Sequence, residues 1–146
     1  MQAVLGIGSN LGDRENNIAL ALDLLERLPD TAVQKLSSLY ETEPFDVISR
    51  QDRYLNCCVL LETKLAPEEL LDRCLAIEAK LGRVRKEYHG ARTMDIDVLL
   101  CEGYTSCTEK LTVPHPHIRY FTLSQVAIAK EARSILLSDL SQNHTA

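Results

Sequence analysis

A chain of 146 residues with 45% hydrophobic and 25% charged residues has the size and composition of one folded domain, 1–146, able to bury a core without disulfide or metal staples. Its net charge of −5 argues against a nonspecific nucleic-acid binder. No apolar run approaches the ~20 residues of a membrane span, and the N-terminus lacks the basic and apolar regions of a signal peptide, so a cytoplasmic protein with no membrane and no nucleic-acid partner is expected.

Residues 2–8 read as a first strand ending at Gly8. Ser9-Asn10-Leu11-Gly12-Asp13 is turn chemistry, with Asp13 placed to cap a helix. Ile18, Leu22, Leu25 and Leu28 then recur at helical spacing, which predicts a helix over 14–28, stopped by Pro29 and Asp30. A strand is expected over 33–41. The segment 43–53 carries Pro44 and several charges without a period and reads as a loop, long enough to suggest a function. Tyr54 to Thr63 is a strong strand. Pro67 in a first turn, with Glu68 and Glu69 at the positive end of the dipole, announces a second helix that runs to Leu81 and stops at Gly82. A basic loop over 83–92 leads into a strand through Asp95 and Asp97. A short strand over 109–113, broken by Pro114, and a helix over 122–137 complete the chain. The order β-α-β-β-α-β, with additional C-terminal strand and helix, predicts an α+β fold with a ferredoxin-like βαββαβ core. There is no internal repeat, low-complexity segment or linker. The five cysteines, Cys57, Cys58, Cys74, Cys101 and Cys107, include no C-x-x-C and are odd in number. Most sit in apolar surroundings, so they read as buried free thiols in a reducing compartment.

The chemistry concentrates in Arg92-Thr93-Met94-Asp95-Ile96-Asp97-Val98. In a strand, Asp95 and Asp97 project to one face, roughly 7 Å apart, while Met94, Ile96 and Val98 turn toward a core. Two carboxylates so spaced can share hard divalent cations. A solvated strand face gives the same pattern. What separates the two readings is the basic loop next to the acids, with Arg83, Arg85, Lys86 and Arg92. Acids for Mg²⁺ beside guanidinium groups for phosphate form the equipment of phosphoryl transfer.

Weaker signals surround this core. Gly8-Ser9-Asn10-Leu11-Gly12 has neither the length nor the lysine of a P-loop, and a plain strand-to-helix turn explains it. His115-Pro116-His117 lacks clustered Cys or Glu for zinc, so His115 reads as a phosphate contact. Tyr54 and Asn56 share a face, where an aromatic and an amide could hold a flat heterocycle, and Phe121 could lie on its other side.

Taken in order, these blocks resemble the 6-hydroxymethyl-7,8-dihydropterin pyrophosphokinase family of folate biosynthesis, from Leu5 to about Ala129. The most specific block is His89-Gly90-Ala91-Arg92-Thr93-Met94-Asp95-Ile96-Asp97-Val98-Leu99. Gly8 to Gly12, Ser38 to Thr42, Tyr54 to Asn56, Gly82 to Arg85 and Leu111 to Pro116 match further family blocks. The resemblance implies transfer of the β,γ-diphosphate of ATP to the hydroxymethyl oxygen of a reduced pterin, with release of AMP. It implies that Asp95 and Asp97 hold two Mg²⁺ ions against the triphosphate. Arg83, Arg85, Arg92, His115 and Arg119 would then be the catalytic, phosphate-neutralising groups. Glu78, Arg85, Lys110, Thr112 and His115 would contact ATP, and Thr42, Pro44, Phe45, Tyr54, Asn56 and Phe121 the pterin. The chain departs from many members in carrying His89 for Trp, Lys110 for Arg, and a shorter stretch from His117 to Phe121. ATP and the pterin are the expected partners of a monomeric enzyme. The competing reading is a non-catalytic pterin- or nucleotide-binding protein that keeps the fold. A nucleotidyltransferase would explain the acids but not the Tyr-Leu-Asn and His-Pro blocks.

Overall fold

Alternating small and apolar residues extend Gln2–Ser9 into β1, the strand on which the rest is assembled. The computed structural model describes residues 1–42, 54–82 and 94–116; the segments 43–53 and 83–92 and the expected helix 122–137 lie outside the described residues. The order of elements after β1 is α1 (Arg14–Glu26), β2 (Thr31–Leu36), β3 (Tyr40–Thr42), β4 (Tyr54–Thr63), α2 (Pro67–Lys80), β5 (Asp95–Cys101), β6 (Ser106–Cys107) and β7 (Thr112–Val113). β1 pairs antiparallel with β4 on one side and with β5 on the other. β2 and β3 both pair antiparallel with β4, giving the order β2-β4-β1-β5 with β3 off that path. β6 and β7 form a separate small hairpin. This is an α+β architecture.

Side-chain alternation gives the sheet two distinct faces. Leu5 and Ile7 of β1, Val59 and Leu61 of β4, and Ile96 and Val98 of β5 join Ile18 and Leu25 of α1 and Leu70 and Ile77 of α2 in one core. Met94 lies in the same core. Leu5, Leu25 and Leu61 expose nothing, and burial of each stabilises the fold by about 2 kcal/mol. The acids of β5 therefore point away from the helices, as the alternation requires.

The helix ends follow local chemistry. Asp13 caps α1 by accepting from the Asn16 N–H at 3.1 Å. α1 stops at Glu26, two residues short of the expected end, because Arg27 and Leu28 N–H groups donate to the carbonyls of Leu24 and Leu25 in a tightened last turn. α2 begins at Pro67 as expected, and Gly82, at φ +77, closes it by donating to the Ala79 carbonyl.

Two expected strands are corrected. The single strand over 33–41 is two, β2 and β3. The break falls at Ser37, whose hydroxyl accepts from the Cys58 N–H at 2.8 Å while its own N–H donates to the Cys58 carbonyl. A side chain has taken a ladder position from the backbone, and a register shift between Val33 and Lys35 bends the strand further. The strand over 109–113 shortens to Thr112–Val113, because Thr108 and Leu111 bond to each other in the turn that brings β6 alongside.

The thiols are free, with Cys57, Cys58, Cys74 and Cys101 buried and Cys107 exposed. Burial pushes Cys57 and Cys74 up to about 12 and Cys58 to about 11. Ellman's reagent should titrate Cys107 rapidly in the native protein and the other four only after unfolding. The folded chain holds these protons where the unfolded chain, with thiols near 9.0, releases them. Their contribution to stability is complete below pH 9 and is lost as pH rises toward 12, so urea midpoints measured across that window should fall.

Candidate active site

Strand register builds the site. Across the sheet, Asn56 of β4 stands opposite Gly8 of β1, and Gly8 stands opposite Asp95 of β5. In the next row on that face Cys58, Gly6 and Asp97 follow one another. On the outer side of β4, Thr42 pairs with Tyr54 and Tyr40 with Asn56. Directly opposed residues share a face, so Tyr54, Asn56, Asp95 and Asp97 lie together on the side away from the helices. Two inter-strand spacings separate the Asn56 position from the Asp95 position, about 10 Å in all. Between them the strand carries glycine and no side chain.

The same acids border a second feature. An open cleft of about 420 Å³ runs along the outer edge of β5, between α2 and the β7 segment. Leu71 and Leu75 form an apolar lip, while Glu78, Asp95, Asp97, Lys110, Thr112 and His115 line the rest. Six residues selected from the sequence for metal or nucleotide contact thus converge on one cleft. The His115 N–H donates to the Leu99 carbonyl at 2.9 Å, which ties this segment to the strand edge. Its Nε2 lies 3.6 Å from Asp97 Oδ1, an ion-pair distance when the imidazole is protonated. Lys110 reaches Asp72 at 3.3 Å and Glu68 at 3.9 Å across the cleft mouth, half-exposed pairs that cost little to exchange for a phosphate. The Thr112 hydroxyl donates to the Thr108 carbonyl.

Glu78 has a role that the sequence did not announce. It is 3% exposed, and its Oε1 accepts from the Ile96 N–H at 2.7 Å. Among the described residues β5 is an edge strand, so its outward N–H groups take partners other than strands. Glu78 supplies one midway between the two acids. A buried carboxylate at helical spacing from Cys74 and Ile77 would have been the only sequence signal.

On the far side of β1, Asn56 is 4% exposed, with its Nδ2 donating to the Tyr54 carbonyl at 3.4 Å. Tyr54 is half-buried beside it. The Tyr40 hydroxyl lies 3.9 Å from Cys58 Sγ, and burial pushes that hydroxyl's pKa upward. The turn from Gly8 to Gly12 is closed from within: Asn17 Nδ2 donates to Ser9 Oγ at 3.1 Å and to the Leu11 carbonyl at 2.9 Å. Among the candidates, Arg83, Arg85, Arg92, Arg119, Pro44, Phe45 and Phe121 lie outside the described residues.

The donors suit a hard cation. Asp95 and Asp97 offer carboxylate oxygens on one face, each partly exposed. Among the described residues they belong to no cluster of three or more potential ligands. A Mg²⁺ ion there would take its remaining positions from water and from substrate phosphate, the arrangement this ion favours.

Comparison with known proteins finds relatives over most of the chain. Residues 4–130 match the profile of the family described as 7,8-dihydro-6-hydroxymethylpterin-pyrophosphokinase. The chain is 40% identical, over 93% of its length and 85% of the relative, to a 2-amino-4-hydroxy-6-hydroxymethyldihydropteridine pyrophosphokinase of Methylorubrum extorquens. A protein of the same name in Bacillus subtilis is 41% identical over 90% of this chain and 83% of its own. Another, in Pseudomonas aeruginosa, is 38% identical over 92% and 83%.

The Glu78 contact makes a stability prediction. Glu78→Ala should leave the buried Ile96 N–H without this acceptor and destabilise the fold by about 1–3 kcal/mol in urea titrations. Glu78→Gln keeps an acceptor oxygen and should recover most of that loss. Equal stability of the two variants would show that the hydrogen bond does not hold the strand edge.

Proposed function

The chain belongs to the 7,8-dihydro-6-hydroxymethylpterin-pyrophosphokinase family, and from that premise we propose how its own residues divide the work between two substrates. It is an ATP-dependent diphosphokinase of folate biosynthesis, a transferase acting on the hydroxymethyl group of the reduced pterin. The transfer forms one bond from the hydroxymethyl oxygen to the β-phosphorus of ATP. It breaks that phosphorus from the bridging oxygen kept by AMP and releases the hydroxyl proton.

The observation that carries the division is the register. Asn56 and Tyr54 on β4 and Asp95 and Asp97 on β5 share one sheet face across Gly8 and Gly6. In this reading Asn56 reads the polar edge of the pterin and Tyr54 packs on its ring, with Thr42, Pro44, Phe45 and Phe121 completing that site. ATP takes the cleft outside β5, where Glu78, Arg85, Lys110, Thr112 and His115 contact it. The triphosphate reaches the acids from the cleft side and the pterin from the sheet side. Two Mg²⁺ ions held by Asp95 and Asp97 would supply charge neutralisation on the phosphate oxygens when bound. The chain's own groups would bring substrates into line and balance charge, with Arg83, Arg85, Arg92, His115 and Arg119 as the residues that neutralise the developing negative charge. His115, next to Asp97, would contact the phosphate oxygens from that side.

The strand order β2-β4-β1-β5, with both crossovers made by helices, supports a ferredoxin-like core within one domain. Free thiols support a reducing, cytoplasmic setting, and no helix among the described residues is long and apolar enough to cross a membrane. The reading takes the enzyme as a monomer.

Incubation with ATP, Mg²⁺ and the hydroxymethyl dihydropterin should yield AMP and pterin diphosphate in equal amounts. Binding of both substrates without products would mark a binding protein instead. Asp97→Ala should reduce turnover by about a hundredfold or more, because the phosphoryl clamp loses a carboxylate. Its thermal unfolding should stay near that of the parent, since a partly exposed strand position tolerates alanine. A variant with parental kcat at saturating Mg²⁺ would overturn the metal assignment.

A further inference from the structure

Gly8 lies inside the regular ladder of β1, paired on both sides and with ordinary extended backbone that any residue adopts. Its lack of a side chain is therefore not a conformational requirement. The requirement is spatial. A Cβ at this position would sit 2.7 Å from Asn56 Oδ1 and 3.3 Å from Tyr54 Cδ1. Directly opposed Cβ atoms normally stand about 4.5–5.5 Å apart. Asn56 must therefore bend toward β1, bringing its amide into the space that a methyl group would fill. The Tyr54 ring rests against the same gap. Asn56 has little freedom to withdraw, being 4% exposed and bonded through Nδ2 to the Tyr54 carbonyl.

We infer that Gly8 is the positioning residue that draws Asn56 and Tyr54 toward the acidic strand, and so sets how close the pterin comes to the phosphates. The inference rests on the reading of Asn56 and Tyr54 as pterin contacts. Beyond Gly8 in the same row stands Asp95. A heterocycle held by Asn56 and Tyr54 has a bare floor over Gly8 along which its hydroxymethyl arm can extend. A methyl group at position 8 does two things. It pushes the amide and the ring back toward β3, and it raises the floor that the arm must cross. Pterin affinity and turnover then fall together. ATP, held in the cleft outside β5, is left as it was.

The test is a double-mutant cycle on pterin and ATP dissociation constants, measured by titration with Mg²⁺ present, for Gly8→Ala, Asn56→Ala and the double variant. Gly8→Ala should weaken pterin binding by about tenfold or more and lower kcat, because a buried amide is left mispaired. Its ATP affinity should stay within about twofold of the parent, since the cleft lies beyond the next strand. In the Asn56→Ala background the same change should cost pterin binding less than about threefold, because the clash with the amide, the closest contact, is gone and only the Tyr54 contact and the raised floor remain. Parental pterin affinity and kcat in Gly8→Ala would overturn the inference, as would a cycle in which the two losses simply multiply. Parental pterin affinity in Asn56→Ala would remove the pterin-site reading itself, which distinguishes the two failures. Should Gly8→Ala not fold, restored folding with Asn56→Ser added supports the contact, and a double variant that stays unfolded overturns it.

Discussion

The antiparallel ladder that β1 makes with both of its neighbours is the constraint on which the rest of this protein depends. Its hydrogen bonds set the relative slide of β4 and β5, which are not paired with each other. A slip of one residue on either side would turn a whole strand over, because side chains alternate with a period of two. Slipping β5 would bury Asp95 and Asp97 among Leu25 and Ile77 and expose Ile96 and Val98. The hydrophobic term resists this strongly, since Ile96 and Val98 are almost wholly buried. The force that fixes the register of the two acids is thus the same one that makes the core.

Placing the acids on an edge strand brings both a benefit and a difficulty. The benefit is access: a cleft can form along the outer side of β5, and a polyphosphate can approach the carboxylates without crossing the sheet. The difficulty is the outer row of backbone groups, which among the described residues faces no further strand. Glu78 and the His115 backbone answer it at Ile96 and Leu99. Both line the cleft, so the groups that complete the edge also shape the proposed nucleotide side of the site. Removing a partner there affects stability and geometry together.

Charge is distributed to match. The chain is acidic as a whole, with a net charge of −5, which by itself would repel a triphosphate. Binding therefore needs local cations and metal. Lys110 stands at the cleft mouth, held by Asp72 and Glu68 on α2, and His115 stands against Asp97. Both already have an acid as neighbour in the protein alone. In the proposed ATP site an incoming phosphate would exchange partners with Lys110, whose half-exposed ion pairs cost little to give up.

The sequence by itself determined the parts whose information is local. Alternation from Met94 to Val98 put the acids on one face and the apolar residues on the other. Asp13, Pro67 and Gly82 marked helix ends through capping and backbone preference, and β4 was legible from Tyr54 to Thr63. The ordered blocks of chemistry, from Tyr54 and Asn56 through Asp95 and Asp97 to His115, pointed to the family that the comparisons show. Tertiary structure decided everything that depends on which strand lies beside which. Ser37 breaks a strand only because Cys58 is its neighbour, and Glu78 bonds Ile96 only because α2 packs along an edge. Gly8 read as the end of a strand, yet its meaning lies in Asn56 on one side and Asp95 on the other. Pairing partners are chosen by burial of the whole core, and that choice is written in no short stretch of chain.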